Sequence, residues 1–185
     1  MSDRIDVTVI PYKDIHPQIA ETAFVAPGSR IIGDVAISAE ASIWYNCVVR
    51  GDVNAIRIGA RTNIQDGSVI HCDSAYGDHP GYPTIIGEDC LVGHMAVLHG
   101  CTLKDRAFVG MGSVVLNGAT IESDAMLAAG ALLTPGKTVP SGQLWAGRPA
   151  RYVRDLTPRE LEENRTGVQN YVRHGQRHME TIKAA

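Results

Sequence analysis

The sequence predicts an all-β solenoid, a left-handed parallel β-helix of hexapeptide repeats followed by a C-terminal α-helix. Three observations predict it. Aliphatic residues recur every six positions over most of the chain. Small or polar residues such as Gly87, Gly93, Gly110, Asn117, Gly118 and Gly130 lie between them, where turns with positive φ are cheap. Aromatics make up only 5% of the residues, which suits thin stacked layers better than a core built round large rings.

The 185 residues are the size of one domain, and they divide into an N-terminal segment (1–22), the β-helix (23–145), and an exit loop with a helix packed on the β-helix (146–185). Within the repeats, Val25, Ile31, Ile37, Ile43, Val49 and Ala55 follow one another at intervals of six. After Asp52 to Arg57 the register restarts at Ile58, Ile64 and Ile70, and after a break it resumes at Ile86, Val92 and Leu98. One five-residue step leads to Leu103, then come Val109, Val115, Ile121, Leu127, Leu133 and Val139. Each hexapeptide supplies a short strand and a turn with its aliphatic residue pointing inward, and three of them close a coil of about 18 residues. A sandwich of alternating strands would instead need hairpins and a period of two. Trp145-Ala146-Gly147-Arg148-Pro149 reads as the exit loop. Thr157-Pro158-Arg159-Glu160 is a capping box with proline at the first helical position, so a helix starts there, with Leu161 and Val168 on one apolar side.

The formal charge of −3 and pI near 6.1 supply no basic field for nucleic acid. No stretch approaches the roughly 20 apolar residues of a membrane span, and the N-terminus lacks the apolar run of a signal peptide; a soluble, cytoplasmic protein with no membrane partner is expected. Cys47, Cys72, Cys90 and Cys101 form no CxxC pair, which favours reduced, buried thiols over disulfides or a thiolate zinc site. Cys72, beside His71, keeps a functional role open.

Three histidines lie within the repeats. His71 and His99 each follow an inward aliphatic residue, so both belong at the same corner of the prism. They are 28 residues apart, about ten more than one coil, and the non-repeating stretch Asp73 to Thr84, rich in glycine and proline, looks like the inserted loop that supplies the excess. Without it His99 stacks one coil above His71, near enough for both to reach one metal ion about 2.0 Å from each nitrogen. His94 lies five residues before His99, close to one face away, so it points round another corner. A symmetric trimer resolves this by setting His94 of one subunit against the His71 and His99 corner of the next. A His₃ set leaves a position open for water, whose pKa on zinc falls to about 7. His16, His79, His174 and His178 lie outside the repeats and read as structural or solvated, His79 being a possible loop contributor.

Over about residues 24 to 154 the chain resembles the γ-class carbonic anhydrase family of hexapeptide-repeat proteins. The resemblance is carried by Val49-Arg50-Gly51-Asp52, Asn63-Ile64-Gln65-Asp66-Gly67-Ser68-Val69-Ile70-His71, Gly93-His94 and Leu98-His99-Gly100-Cys101, and by the exit Ala146-Gly147-Arg148-Pro149-Ala150. It implies reversible hydration of CO₂ to bicarbonate by a homotrimer with interfacial sites for Zn²⁺, with Fe²⁺ or Co²⁺ as other occupants, held by His71, His94 and His99. Carried over by position, Arg50 and Asp52 match an inter-subunit salt bridge near the metal. Asn63, Gln65 and Asp66 match polar residues that orient solvent and substrate, with Asp66 able to anchor Arg50. Tyr171 matches a tyrosine reaching the site from the C-terminal helix. Val53 stands where the most active members carry a glutamate, and the loop after His71 has no glutamate to shuttle protons; Asp73, Asp78 and His79 are candidate substitutes. Two other functions stay open: a hexapeptide acyltransferase acting on acyl-CoA, and a metal-stabilised, non-catalytic trimeric scaffold.

Overall fold

The computed structural model describes residues 8–184. It is a parallel β-helix of triangular section with one helix laid along it. The first face stacks Phe24–Val25, Ser42–Ile43, Asn63–Ile64, Leu91–Val92, Phe108–Val109, Met126–Leu127 and Gln143–Gly147. The second carries Val69–His71, Val97–His99, Val114–Val115 and Leu132–Leu133, and the third carries Thr84–Ile86, Thr102–Leu103, Thr120–Ile121 and Thr138–Val139. The long strands Arg30–Ile37 and Val48–Ile58 run round the corner between the second and third faces and join them into one sheet. Ahead of the repeats, Thr8–Ile10 pairs with the second face and Gln18–Ile19 with the third.

The six-residue aliphatic ladder is the core. Ile31, Ile43, Val49, Ile64, Ile70, Val92, Leu98, Val109, Ile121 and Leu127 are all buried from solvent. Each lost apolar face is covered by the coil above and below, which is the only way a two-residue strand holds together. The register departs from expectation at Ala55, which is half-buried, while Ile56 and Ile58 point inward. The cause is a corner longer in Val48–Ile58 than in its neighbour: Gly33 pairs with Gly51, but Val35 pairs with Ile56. Several turns place non-glycine residues in the left-handed region, among them Asn46, Arg61, Asp89, Met95, Arg106 and Asp124.

The expected exit loop is instead the turn of an antiparallel pair. Gln143–Gly147 continues the first face and Ala150–Asp155 folds back on it, so the last coil ends on a hairpin rather than an open edge. The helix spans Pro158–Ala184. Its capping box forms: Glu160 accepts from the Thr157 N–H at 2.9 Å, and the Glu160 N–H donates to Thr157 Oγ1 at 3.3 Å. The helix runs back along the first face, over Leu91–Val92, Asn63–Ile64, Ser42–Ile43 and Phe24–Val25, with Val168 and Gly175 buried against it. No described helix is long and apolar enough to cross a membrane.

Candidate metal centre

His71 and His99 are register partners on adjacent strands of the second face, brought together because residues 73–83 leave the coil as a loop and the chain rejoins it at Thr84. Their rings stand 5.0 Å apart, and His71 Nδ1 lies 3.1 Å from His99 Nε2. The far nitrogen of each ring is taken. Asp52 Oδ1 is 3.0 Å from His71 Nε2, and Asn117 Oδ1 is 2.5 Å from His99 Nδ1. Both outer partners are oxygens that only accept, so in the neutral rings, the form that binds a metal, each outer nitrogen carries the proton and the two inner nitrogens present lone pairs to each other. Facing lone pairs at this separation repel unless a cation lies between them. Two ligand nitrogens about 2.0 to 2.1 Å from a tetrahedral ion stand about 3.3 Å apart, close to what the pair already shows. The residues present therefore fit a divalent metal, with both outer nitrogens oriented by hydrogen bonds as ligand histidines usually are.

The electrostatics point the same way. Burial holds the His71 imidazole below its ordinary value, and nearby Arg50 and His99 add to this against the hydrogen bond of Asp52; a neutral ring is the ligand form. Burial pushes the Asp52 carboxyl up, but hydrogen bonds from His71 and Arg50 outweigh it and leave Asp52 below the usual carboxylate range.

His94 is not part of this pair. It lies beyond Val92, where the first face turns into the second, and its Nδ1 is 2.8 Å from Asp66 Oδ2. The second face separates that corner from His71 and His99. No group of three His, Cys, Asp or Glu side chains able to hold a metal forms among the described residues of one chain.

The other predicted residues fall into three places. Arg50 and Asp52 share the His71 corner and pair with each other inside the chain at 2.5 Å. Asp66 does not anchor Arg50 in the chain, because it sits at the other corner, holding His94 and accepting from the Tyr45 N–H at 3.3 Å. Asn63 and Gln65 are buried on the first face and next to it, where Gln65 Nε2 donates to Asn63 Oδ1 at 3.0 Å and Asn63 donates to the Cys90 carbonyl at 3.3 Å. Tyr171 reaches in from the helix and meets Trp44 edge-on at 5.4 Å; burial, with the charge of Asp66, pushes its phenol up. All four cysteines are free and buried, and burial pushes the thiols up, Cys47 to about 11 and Cys90 and Cys101 to about 12. Cys72 is likewise raised, with its thiol donating to the Asn54 carbonyl, so none is a ready thiolate. Sequence reasoning placed Asn117 only as a turn residue. Its distance of 18 residues from His99, one coil, was the signal available.

The sequence matches the hexapeptide repeat of succinyl-transferase over residues 83–117 and 105–135. It is 46% identical over 168 residues to a carbonic anhydrase of Geobacillus kaustophilus, covering 91% of this chain and 89% of that one. It is 44% identical over 171 residues to the mitochondrial γ carbonic anhydrase 1 of Arabidopsis thaliana, covering 92% of this chain but 62% of the plant protein, so the chain spans under two thirds of that relative. Among solved structures, a hexapeptide transferase family protein from Anaplasma phagocytophilum superposes with a TM-score of 0.85 at 46% identity, covering 91% of this chain and 96% of the other.

Proposed function

Since the chain belongs to the γ-class carbonic anhydrase family, we propose that it hydrates CO₂ reversibly to bicarbonate at a metal site shared between subunits of a homotrimer. The observation that carries this reading is the His71 and His99 pair, two lone pairs aimed at one point with both outer nitrogens held. In this reading His71 and His99 of one subunit and His94 of the next hold Zn²⁺, with Fe²⁺ and Co²⁺ as alternatives. A subunit contact across the second face has apolar surface to bury: Val69 lies on that face and Met95 and Met111 at its edge, 39%, 66% and 58% exposed.

When bound, such an ion would supply an activated water at neutral pH. The chain's own groups do the rest. Asp52 fixes the ring of His71, and Asp66 does the same for His94. Gln65, its amide nitrogen given to Asn63, offers a neutral group that orients the attacking oxygen without neutralising it. Tyr171, kept as the neutral phenol, supplies a hydroxyl toward substrate, and Arg50 offers a cation to the departing bicarbonate. With Val53 and a loop free of glutamate, the released proton passes to buffer. We place the chain in the cytoplasm, whereas the Arabidopsis relative is a mitochondrial protein.

Stopped-flow CO₂ hydration on zinc-loaded protein tests the reading, with His94→Ala as control. Hydration above the buffer rate that is lost in the variant is the expected result; equal rates for the two would overturn it. The names of the repeat family and of the Anaplasma structure favour acyl transfer as a second reading. Acetyl-CoA turnover that survives a chelator would favour transfer over hydration. A trimer that dissociates on metal removal without ever hydrating CO₂ would mark a metal-stabilised scaffold.

A further inference from the structure

We propose that Asn117, seated by Tyr82 of the inserted loop, is a positioning residue that fixes the tautomer of His99 and thereby sets the metal affinity of the site. The inference rests on the reading of His71 and His99 as ligands, and it adds a role for a residue and a loop that the catalytic reading leaves without one.

Asn117 stands one coil above His99, at the end of a single column of side chains: Asp52, His71, His99, Asn117. Its oxygen, 2.5 Å from His99 Nδ1, accepts and cannot donate. The proton of His99 is therefore placed on Nδ1, and Nε2 is left free toward His71. Without this partner a neutral imidazole divides between two tautomers, and the Nε2–H form would aim a proton at the point where the ion belongs. Asp52 does the same for His71 with a full negative charge; Asn117 does it with none. The column therefore orients two ligands while placing only one carboxylate beside the cation.

The turn carrying Asn117 is held from outside. Gly118 has φ +67, and a Cβ there would lie 3.0 Å from Tyr82 Cε1, so the tyrosine ring rests directly on the glycine. A Cβ at Gly100 would lie 2.8 Å from both Asn117 Oδ1 and Tyr82 Cβ, so the absence of a side chain there lets loop and amide pack side by side. Tyr82 is itself tied down: its carbonyl accepts from the Asp73 N–H at 2.8 Å, and its ring meets that of His79 at 4.6 Å. The loop that interrupts the repeat after His71 thus returns across the turn that orients His99.

Two measurements on the full-length protein test this: Zn²⁺ dissociation constants by chelator competition, and His99 tautomer from ¹H–¹⁵N spectra of metal-free protein. The unaltered chain, Asn117→Ala, Asn117→Asp and Tyr82→Ala are compared, with His99→Gln assigning the resonance. Asn117→Ala is expected to weaken Zn²⁺ binding about 10- to 100-fold and to show mixed tautomers. Asn117→Asp, still an acceptor, is expected to keep the Nδ1–H form and bind within about threefold of the unaltered chain or tighter. Tyr82→Ala is expected to fall between them. Melting temperatures of the metal-free proteins within about 4 °C of each other confirm that the fold is retained. Unchanged affinity in Asn117→Ala, equal losses in Asn117→Ala and Asn117→Asp, or an Nε2–H His99 in the unaltered chain would each overturn the proposal. Failure of the anhydrase reading looks different: no protein in the series hydrates CO₂ faster than buffer, while the affinity and tautomer series keep their order.

Discussion

Two corners of the prism use the same device to opposite ends. Where the third face turns into the first, successive coils stack Arg61, Asp89, Arg106 and Asp124, all in the left-handed region. Arg61 reaches Asp89 at 2.7 and 2.8 Å and Glu88 at 2.8 Å, and Arg106 grips Asp124 at 2.9 Å through two nitrogens. Opposite charges alternate there, and the column satisfies itself. Where the second face turns into the third, the stack runs Asp52, His71, His99, Asn117, with acceptors at both ends and two lone pairs meeting in the middle. One residue per coil makes a ladder in either case. The order of donors and acceptors along it decides whether the ladder closes on itself or calls for an ion.

The largest effect that separates the two corners is on activity. Chelating the metal, or replacing His71 or His94 by alanine, is expected to cost roughly 10³-fold or more in CO₂ hydration, because the activated water goes with the ion. Arg61→Ala, on the other ladder, is expected to leave the rate per metal-loaded site within about twofold. Stopped-flow assays at matched metal occupancy check both, and a comparable loss from Arg61→Ala would erase the contrast.

A backbone change reverses the ranking. A Cβ on Gly59, beside the charged ladder, would lie 2.4 Å from the Gly87 carbonyl carbon and oxygen and 2.7 Å from the Glu88 nitrogen. Backbone atoms have little room to give, so Gly59→Ala is expected to destabilise the fold by about 2 to 3 kcal/mol, read by urea unfolding. The histidine pair lies at another corner, and its Zn²⁺ affinity is expected to stay within about twofold, as for distant independent sites.

Acid separates the corners by pH window. The folded chain holds the His71 pKa below its ordinary 6.5, chiefly by burial, so the unfolded chain binds the proton more readily. Stability from this group is therefore present above about pH 6.5 and lost as pH falls through it toward the lower folded value. Asp124 is held below its ordinary 3.8, first by the Arg106 hydrogen bond, with burial opposing. Its contribution is present above pH 3.8 and disappears below, a window that Asp52 shares. Unfolding of chelated protein followed against pH is expected to show two steps, the upper absent in His71→Gln and the lower reduced in Asp124→Asn.

How much of this was legible follows from what a period can encode. The inward ladder and the stacking of His71 under His99 were readable, because in a solenoid sequence distance modulo one coil is spatial position. Ala55 was misplaced because a corner can lengthen without any change in composition, and only the paired strand shows that Ile56 takes the inward place. The turn of 148 and 149 read as a loop because one antiparallel return carries no repeat signal. Asp66 can anchor Arg50 by charge, but charge alone does not carry position, and inside one chain Asp66 faces His94. Asn117 was visible as a turn residue, but its role depends on an amide oxygen and a ring nitrogen meeting, and spacing alone does not carry that.

The smallest expected effect bears most directly on why the charged ladder exists. Arg106 and Asp124 have side chains 39% and 22% exposed, so water already screens much of their attraction, and Arg106→Ala is expected to cost only about 0 to 1 kcal/mol at moderate salt. Among the described residues Asp124 then keeps the more distant Arg165 as its ion-pair partner, at 3.7 Å, which ties the repeats to the C-terminal helix. If the ladder serves mainly to align coils, the loss should shrink further at high salt while the histidine corner keeps its metal affinity. Urea unfolding of Arg106→Ala at low and high salt, with Zn²⁺ titration of the same samples, reads both. A salt-independent loss above about 2 kcal/mol would mean that the arginine acts through packing of its apolar stem, and not through charge.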